Sequence, residues 1–113
     1  MSAKRKQIPK SQRYQIYNLF NGHCAYCGCE MEYKDMQVDH IQSIYTDGNN
    51  CFQNYFPSCR MCNFYKSTFT IEQFRERLQT VHERLEKDFT YRLARKYGMV
   101  EEHKEPIKFY FEK

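Results

Sequence analysis

No stretch of the 113-residue chain approaches the roughly 20 consecutive apolar residues of a membrane-crossing helix, so no transmembrane helix is expected. No apolar run follows the basic, polar start from Met1 to Lys10, and no secretory leader is expected. The six cysteines are therefore expected to be metal ligands in a reducing, intracellular setting rather than disulfides. Internal repeats and low-complexity segments are also missing. Acidic residues are absent before Glu30, whereas Lys4, Arg5, Lys6, Lys10 and Arg13 crowd the same stretch. Such a block is either a solvated tail or, beside a site that handles phosphate, a phosphate contact.

What is present fits one small domain. A chain of this length holds only a small core, and small cores are commonly stapled by a metal. Tryptophan is absent, but ten Tyr and nine Phe bring the aromatic share to 17%. The mean hydropathy is −0.91, which indicates a polar surface. The formal charge is +4. Four zinc-bound thiolates would subtract four and one Zn²⁺ would restore two, so total charge says little about nucleic acid. Its distribution says more.

The cysteine spacing carries the first strong signal. Cys24-Ala25-Tyr26-Cys27 and Cys59-Arg60-Met61-Cys62 are two C-x-x-C turns with 31 residues between them. Each turn can aim two sulfurs at one point, and two turns complete a tetrahedron around Zn²⁺. An all-sulfur site has no open position, so this zinc is expected to be structural and to contribute folding energy directly. Cys29 could compete as a ligand, but small buried residues are the expected role of Cys29 and Cys51.

Between and beside these turns lie residues suited to hydrolysing a phosphodiester. That reaction needs a divalent cation to neutralise charge and a base to take a proton from water. Asp39 offers a hard anionic oxygen suited to Mg²⁺, and Asn63, next to Cys62, offers a neutral amide oxygen. His40 has an imidazole that titrates near neutral pH. An Asp-His pair alone is uninformative. The ordered set, with cysteine turns on both sides, is not.

This set resembles the HNH endonuclease family, whose site is a ββα-metal motif. The pattern of C-x-x-C, an acidic-His pair with an apolar neighbour, a turn, an Asn, then C-x-x-C-N-x-x-K reads here as Cys24/Cys27, Asp39-His40-Ile41, Gly48, Asn54, Cys59/Cys62, Asn63 and Lys66. It spans roughly residues 13–67. The resemblance implies His40 as general base, Asp39 and Asn63 as ligands of one Mg²⁺ or Mn²⁺, and Asn54 as the residue that holds the loop and orients the base. Lys66 would contact phosphate or stabilise the transition state, or be only a solvated helix charge. Arg60 and Tyr65 are weaker candidates. The third letter of the family name is His in some members. Asn63 stands there in this chain and favours Mg²⁺ over a transition metal. His23, His82 and His103 match nothing in the pattern.

The expected architecture is α+β: a small zinc-stapled ββα-metal core with flanking helices. Residues 1–8 are read as a basic arm and 9–113 as the nuclease domain, with a motif core at 24–67 and a helical extension at 70–113. Pro9 opens a helix to about Phe20, with Ile16, Leu19 and Phe20 on one face, and Asn21-Gly22 ends it. A strand ends at His40, Asp47-Gly48-Asn49-Asn50 turns the chain, and a second strand lies near Tyr55-Phe56. A helix follows near Arg60–Ser67. The capping box Thr70-Ile71-Glu72-Gln73 starts a helix whose stripe Ile71, Phe74, Leu78, Val81 and Leu85 is expected to be core. Thr90 to Tyr97 is helical up to Gly98, and Pro106–Phe111 is read as a last strand.

The expected activity is metal-dependent DNA endonuclease action, by one metal and a His base, on duplex DNA as a monomer or homodimer. Freestanding relatives of this kind suggest a phage or mobile-element setting. The basic residues Lys4, Arg5, Lys6, Lys10, Arg13 and Arg60 would meet the nucleic acid. One alternative is a non-catalytic zinc module that binds nucleic acid. The other is an RNA-directed or toxin-like nuclease.

Overall fold

The computed structural model describes residues 7–46 and 48–113. Lys4, Arg5 and Lys6 of the expected arm, and Asp47 of the expected turn, lie outside the described residues. The chain divides into two units: residues 7–71 with Lys108–Lys113, and Glu72–Ile107. The expected extension at 70–113 is thus split, since its last six residues join the first unit. No helix among the described residues is long and apolar enough to cross a membrane.

In the first unit, helix α1 (Lys10–Asn18) follows Pro9, whose φ of −58° is already helical. Ile16 is its buried anchor, whereas Leu19 lies past the helix end and is exposed. Asn21 and Gly22 both take positive φ, and this reverses the chain into the first cysteine turn. That turn is a tight loop closed by Met31 N–H to Gly22 O (2.8 Å), Cys24 N–H to Cys29 O (2.9 Å) and Gly28 N–H to Cys24 O (3.0 Å). Strand β1 (Gln37–His40) pairs antiparallel with β2 (Tyr55–Ser58), setting Asp39 opposite Phe56 and His40 opposite Tyr55. Helix α2 (Arg60–Lys66) starts immediately after β2 and packs against β1. Together these three elements make the expected ββα core.

Aromatic rings fill the space that a chain this short cannot fill with aliphatic layers. Tyr26 meets Phe56, Phe109 and Phe111 edge to face. Phe109 is buried with Ile16, Met36, Val38 and Tyr55. The tail is not the expected strand. It closes in a short 3₁₀ turn, Tyr110–Glu112. The reason is edge occupancy: Ala25 N–H bonds Pro57 O (2.9 Å), so the first cysteine turn lies along β2. The tail docks on that turn instead, with Tyr110 N–H to Tyr26 O (2.9 Å) and Phe111 N–H to Ala25 O (2.8 Å). Gly28 leaves room for this, because a Cβ there would sit 2.6 Å from the Tyr110 ring.

The second unit is helical. Helices α3 (Ile71–Gln79) and α4 (Val81–Leu85) replace the single long helix expected from residue 71, and α5 (Phe89–Lys96) is the helix expected over Thr90 to Tyr97. The break falls at Thr80, whose hydroxyl donates to Glu76 O (2.9 Å) and whose backbone leaves helical values (φ −107°, ψ 12°). The stripe is broken with it. Phe74 is fully buried, but Val81 and Leu85 are 38% and 43% exposed and are not core. Asp88 caps α5 by accepting from Tyr91 N–H (3.1 Å), and Gly98 ends it at φ +74°.

Candidate active site

The four cysteines of the two turns converge: their sulfurs all lie within 4.8 Å of one another. Cys59 also caps α2, its sulfur accepting from Cys62 N–H (3.4 Å), and Cys24 Sγ accepts from Tyr26 N–H (3.4 Å). Four ionised sulfurs this close repel. A hydrogen bond from Cys62 brings the Cys24 thiol down to about 4, while that same bond and burial push Cys62 up. Burial raises Cys59 as well. A cation resolves the conflict, and a closed, all-sulfur donor set suits Zn²⁺. Cys29 and Cys51 are exposed rather than buried, and neither belongs to the converging set of four sulfurs.

Asp39 is almost wholly buried and is gripped from three sides. Tyr26 Oη donates to its Oδ2 at 2.5 Å, Lys66 Nζ lies 3.1 Å from Oδ2, and Asn63 Nδ2 lies 3.3 Å from Oδ1. Burial pushes the Asp39 carboxyl above the usual carboxylate range, and Lys66 and Tyr26 pull it back. Burial and the neighbouring carboxylate push the Tyr26 phenol far up, so it remains a donor. Asp39 and Asn63 therefore meet at one point, as a shared cation would require.

His40 ends β1 and is buried, with the Tyr55 ring edge-on to it (ring centroids 5.1 Å apart). Its Nε2 lies 3.1 Å from Asn50 Oδ1. Asn54 does not touch the ring. It fastens the chain just beyond it: Asn54 O accepts from Ile41 N–H (2.8 Å), Oδ1 from Gln42 N–H (2.8 Å), and Nδ2 donates to Gln42 O and Asn49 O (both 2.9 Å). Asp39, His40 and Asn63 line one cleft of about 190 Å³, rimmed by Ser43, Tyr45, Ser67 and Thr68. A larger groove of about 730 Å³ runs past Glu30, Glu32, Asp35, Lys34 and Arg60. It mixes both signs of charge and contains no His beside a carboxylate-amide pair, so the smaller cleft is the candidate site.

Two sequence expectations change. Lys66 is fully buried, with Nζ on Asp39 and on His40 O (3.1 Å), so it is neither a solvated helix charge nor open to a phosphate. Arg13 turns inward, donating to Met36 O (3.2 Å) with its guanidinium over the Tyr33 ring, because α1 packs beside that segment. Lys10 and Arg60 are exposed. Sequence reasoning also missed the contacts of Asn50 and Tyr26. Asn50 was hidden in a turn signal, and Tyr26 looked like a spacer between ligands.

Residues 24–69 match the family model described as HNH endonuclease. The chain is 28% identical over 79 residues to the SPbeta prophage-derived protein YoqL of Bacillus subtilis (strain 168), named as an HNH endonuclease; this covers 63% of the chain and 34% of YoqL. It also resembles a crystal structure of the type II-C Cas9 enzyme from Actinomyces naeslundii. The TM-score is 0.53 and the identity 26%, covering 66% of this chain and 9% of the Cas9 chain. The chain thus spans about a third of the one relative and a small part of the other. The paired sulfurs, the ββα core and the Asp39–Asn63 meeting point all fall inside residues 24–69, the segment that matches the HNH endonuclease model.

Proposed function

We propose that the domain hydrolyses phosphodiester bonds of duplex DNA with one divalent metal, Mg²⁺ or Mn²⁺, and His40 as general base. The observation that carries this reading is the single cleft shared by Asp39, His40 and Asn63. Asp39 Oδ1 and the Asn63 amide would hold the cation; half a turn of that amide brings its oxygen where its nitrogen now faces Asp39. Two protein oxygens leave the remaining positions to water and phosphate, as Mg²⁺ prefers. A cation held there would polarise the phosphodiester and offset charge on the leaving oxygen. His40 takes a proton from the attacking water as the new P–O bond forms and the old one breaks. Lys66 acts through Asp39: its buried ammonium holds the carboxylate and the His40 carbonyl in place. The exposed Lys10 and Arg60, together with Lys4, Arg5 and Lys6, are the proposed phosphate contacts.

A plasmid assay across Mg²⁺, Mn²⁺ and Ni²⁺ tests the reading. Wild type is expected to cut with Mg²⁺ or Mn²⁺, and His40→Ala to lose about 10²–10⁴-fold while zinc content and melting persist. Binding without cleavage under every metal would return the domain to a nucleic-acid-binding module, and cleavage of RNA alone would reassign the substrate. The same assay run from low to high salt reads the basic residues, since phosphate contacts steepen salt dependence.

A further inference from the structure

We infer that Asn50 is the positioning residue of His40, setting which ring nitrogen carries hydrogen and which accepts the proton from water. This inference rests on the general-base reading of His40. A neutral imidazole has one N–H and one bare nitrogen, and the partner of one decides the state of the other. The amide oxygen of Asn50 faces Nε2 at 3.1 Å. An oxygen there asks for a hydrogen on Nε2. Nδ1 is then the bare nitrogen, and it is the atom that takes the proton.

The contact is anchored rather than incidental. Tyr55 Oη donates to Asn50 O (3.0 Å), and the same Tyr55 ring stands edge-on to His40. Tyr55 is also the cross-strand partner of His40 in the sheet. One side chain therefore fixes the ring laterally and the backbone of the residue that bonds it. Asn49, next along, is tied at both ends: its carbonyl accepts from Asn54 Nδ2 (2.9 Å) and its Oδ1 from Cys51 N–H (3.0 Å). Two asparagines thus divide the work. Asn54 holds the backbone after His40, and Asn50 holds the ring. When the base is protonated, the Nε2 hydrogen bond to a carbonyl-type oxygen persists and strengthens, so the ring need not turn during the step.

The test uses the full zinc-loaded chain with ¹⁵N-labelled histidine. Nitrogen shifts of His40 should report the Nε2–H tautomer in wild type, a mixture in Asn50→Ala, and the Nε2–H form again in Asn50→Asp, which keeps an oxygen at that place. In the plasmid assay Asn50→Ala should lower kcat about 10–100-fold with KM for DNA little changed, and Asn50→Asp should recover most of it. An unchanged tautomer and an unchanged kcat in Asn50→Ala would overturn the inference. So would an Asn50→Asp chain that melts like wild type but has lost the Nε2–H form. The tautomer reads the Asn50 contact even in a chain that cuts nothing, so failure of this inference and failure of the nuclease reading are separable.

Discussion

The two units of the chain solve the same problem by different means. Residues 7–71 with Lys108–Lys113 enclose an ordered interior: Ile16, Tyr26, Met36, Val38 and Tyr55 are buried, and so are the polar Asp39, His40 and Lys66. Every one of those polar groups has a partner within the unit. Glu72–Ile107 has Phe74 fully buried, while Leu85, Phe89 and Leu93 on its helices and Tyr97 and Met99 just beyond them stand exposed. Its elements are joined from the outside by polar ties. Gln79 bridges Glu105 O (3.0 Å) and Ile107 N–H (2.7 Å), Arg75 donates to Ile107 O (2.8 Å), and Arg95 pairs with Glu86 and Glu102. A cluster of metal-type donors lets a short chain bury charged chemistry. Amphipathic helices without one are held by surface ties, which are individually weak.

The largest effect that could break this comparison is on the sulfur cluster. Cys59→Ser should abolish cooperative unfolding of the first unit, since structural zinc supplies roughly 10–16 kcal/mol of apparent binding energy in small zinc-dependent folds. A folded Cys59→Ser protein with an unchanged melting curve would mean the aromatic core holds the unit alone. Next in size is Tyr26→Phe, which removes the 2.5 Å donor from Asp39 while keeping the ring. We expect a loss of about 1.5–3 kcal/mol, because hydrogen bonds to charged groups lie in that range, and weaker metal activation of cleavage. An unmoved melting temperature together with an unmoved metal titration would show that Lys66 and Asn63 suffice to hold the carboxylate. The smallest effect is expected in the second unit. Asp88→Ala removes the cap of α5 and should cost about 0.5–2 kcal/mol, read as faster amide exchange in α5 with cleavage intact. Lost cleavage in that variant would show that the activity depends on α5.

Much of the first unit was legible beforehand, and its physical reasons are local. Two C-x-x-C turns can converge on few things besides a metal. Asn21-Gly22 permits the positive φ that ends α1, and the alternation ending at Asp39-His40 marks a strand. The second unit was less legible because periodicity records which residues share a face, not whether the face is covered. Ile71 to Leu85 reads as one stripe, and a single hydroxyl at Thr80 divides it. The tail misled for a related reason. Pro106 to Phe111 has strand composition, but whether a strand pairs depends on a free sheet edge, and the first cysteine turn already lies along β2.

Residue order alone determined the metal-type cysteine set, the ββα order and the candidates Asp39, His40 and Asn63, because each depends on residue type and spacing along the chain. Only the tertiary structure decided the fate of Lys66, Arg13, Tyr26 and Asn50. Nothing in the spacing of Lys66 says that its charge is buried against Asp39, or that the Asn50 amide reaches Nε2 of His40. Burial and hydrogen-bond partnership are properties of neighbours in space, and for these side chains the neighbours lie 10 to 27 residues away in the sequence.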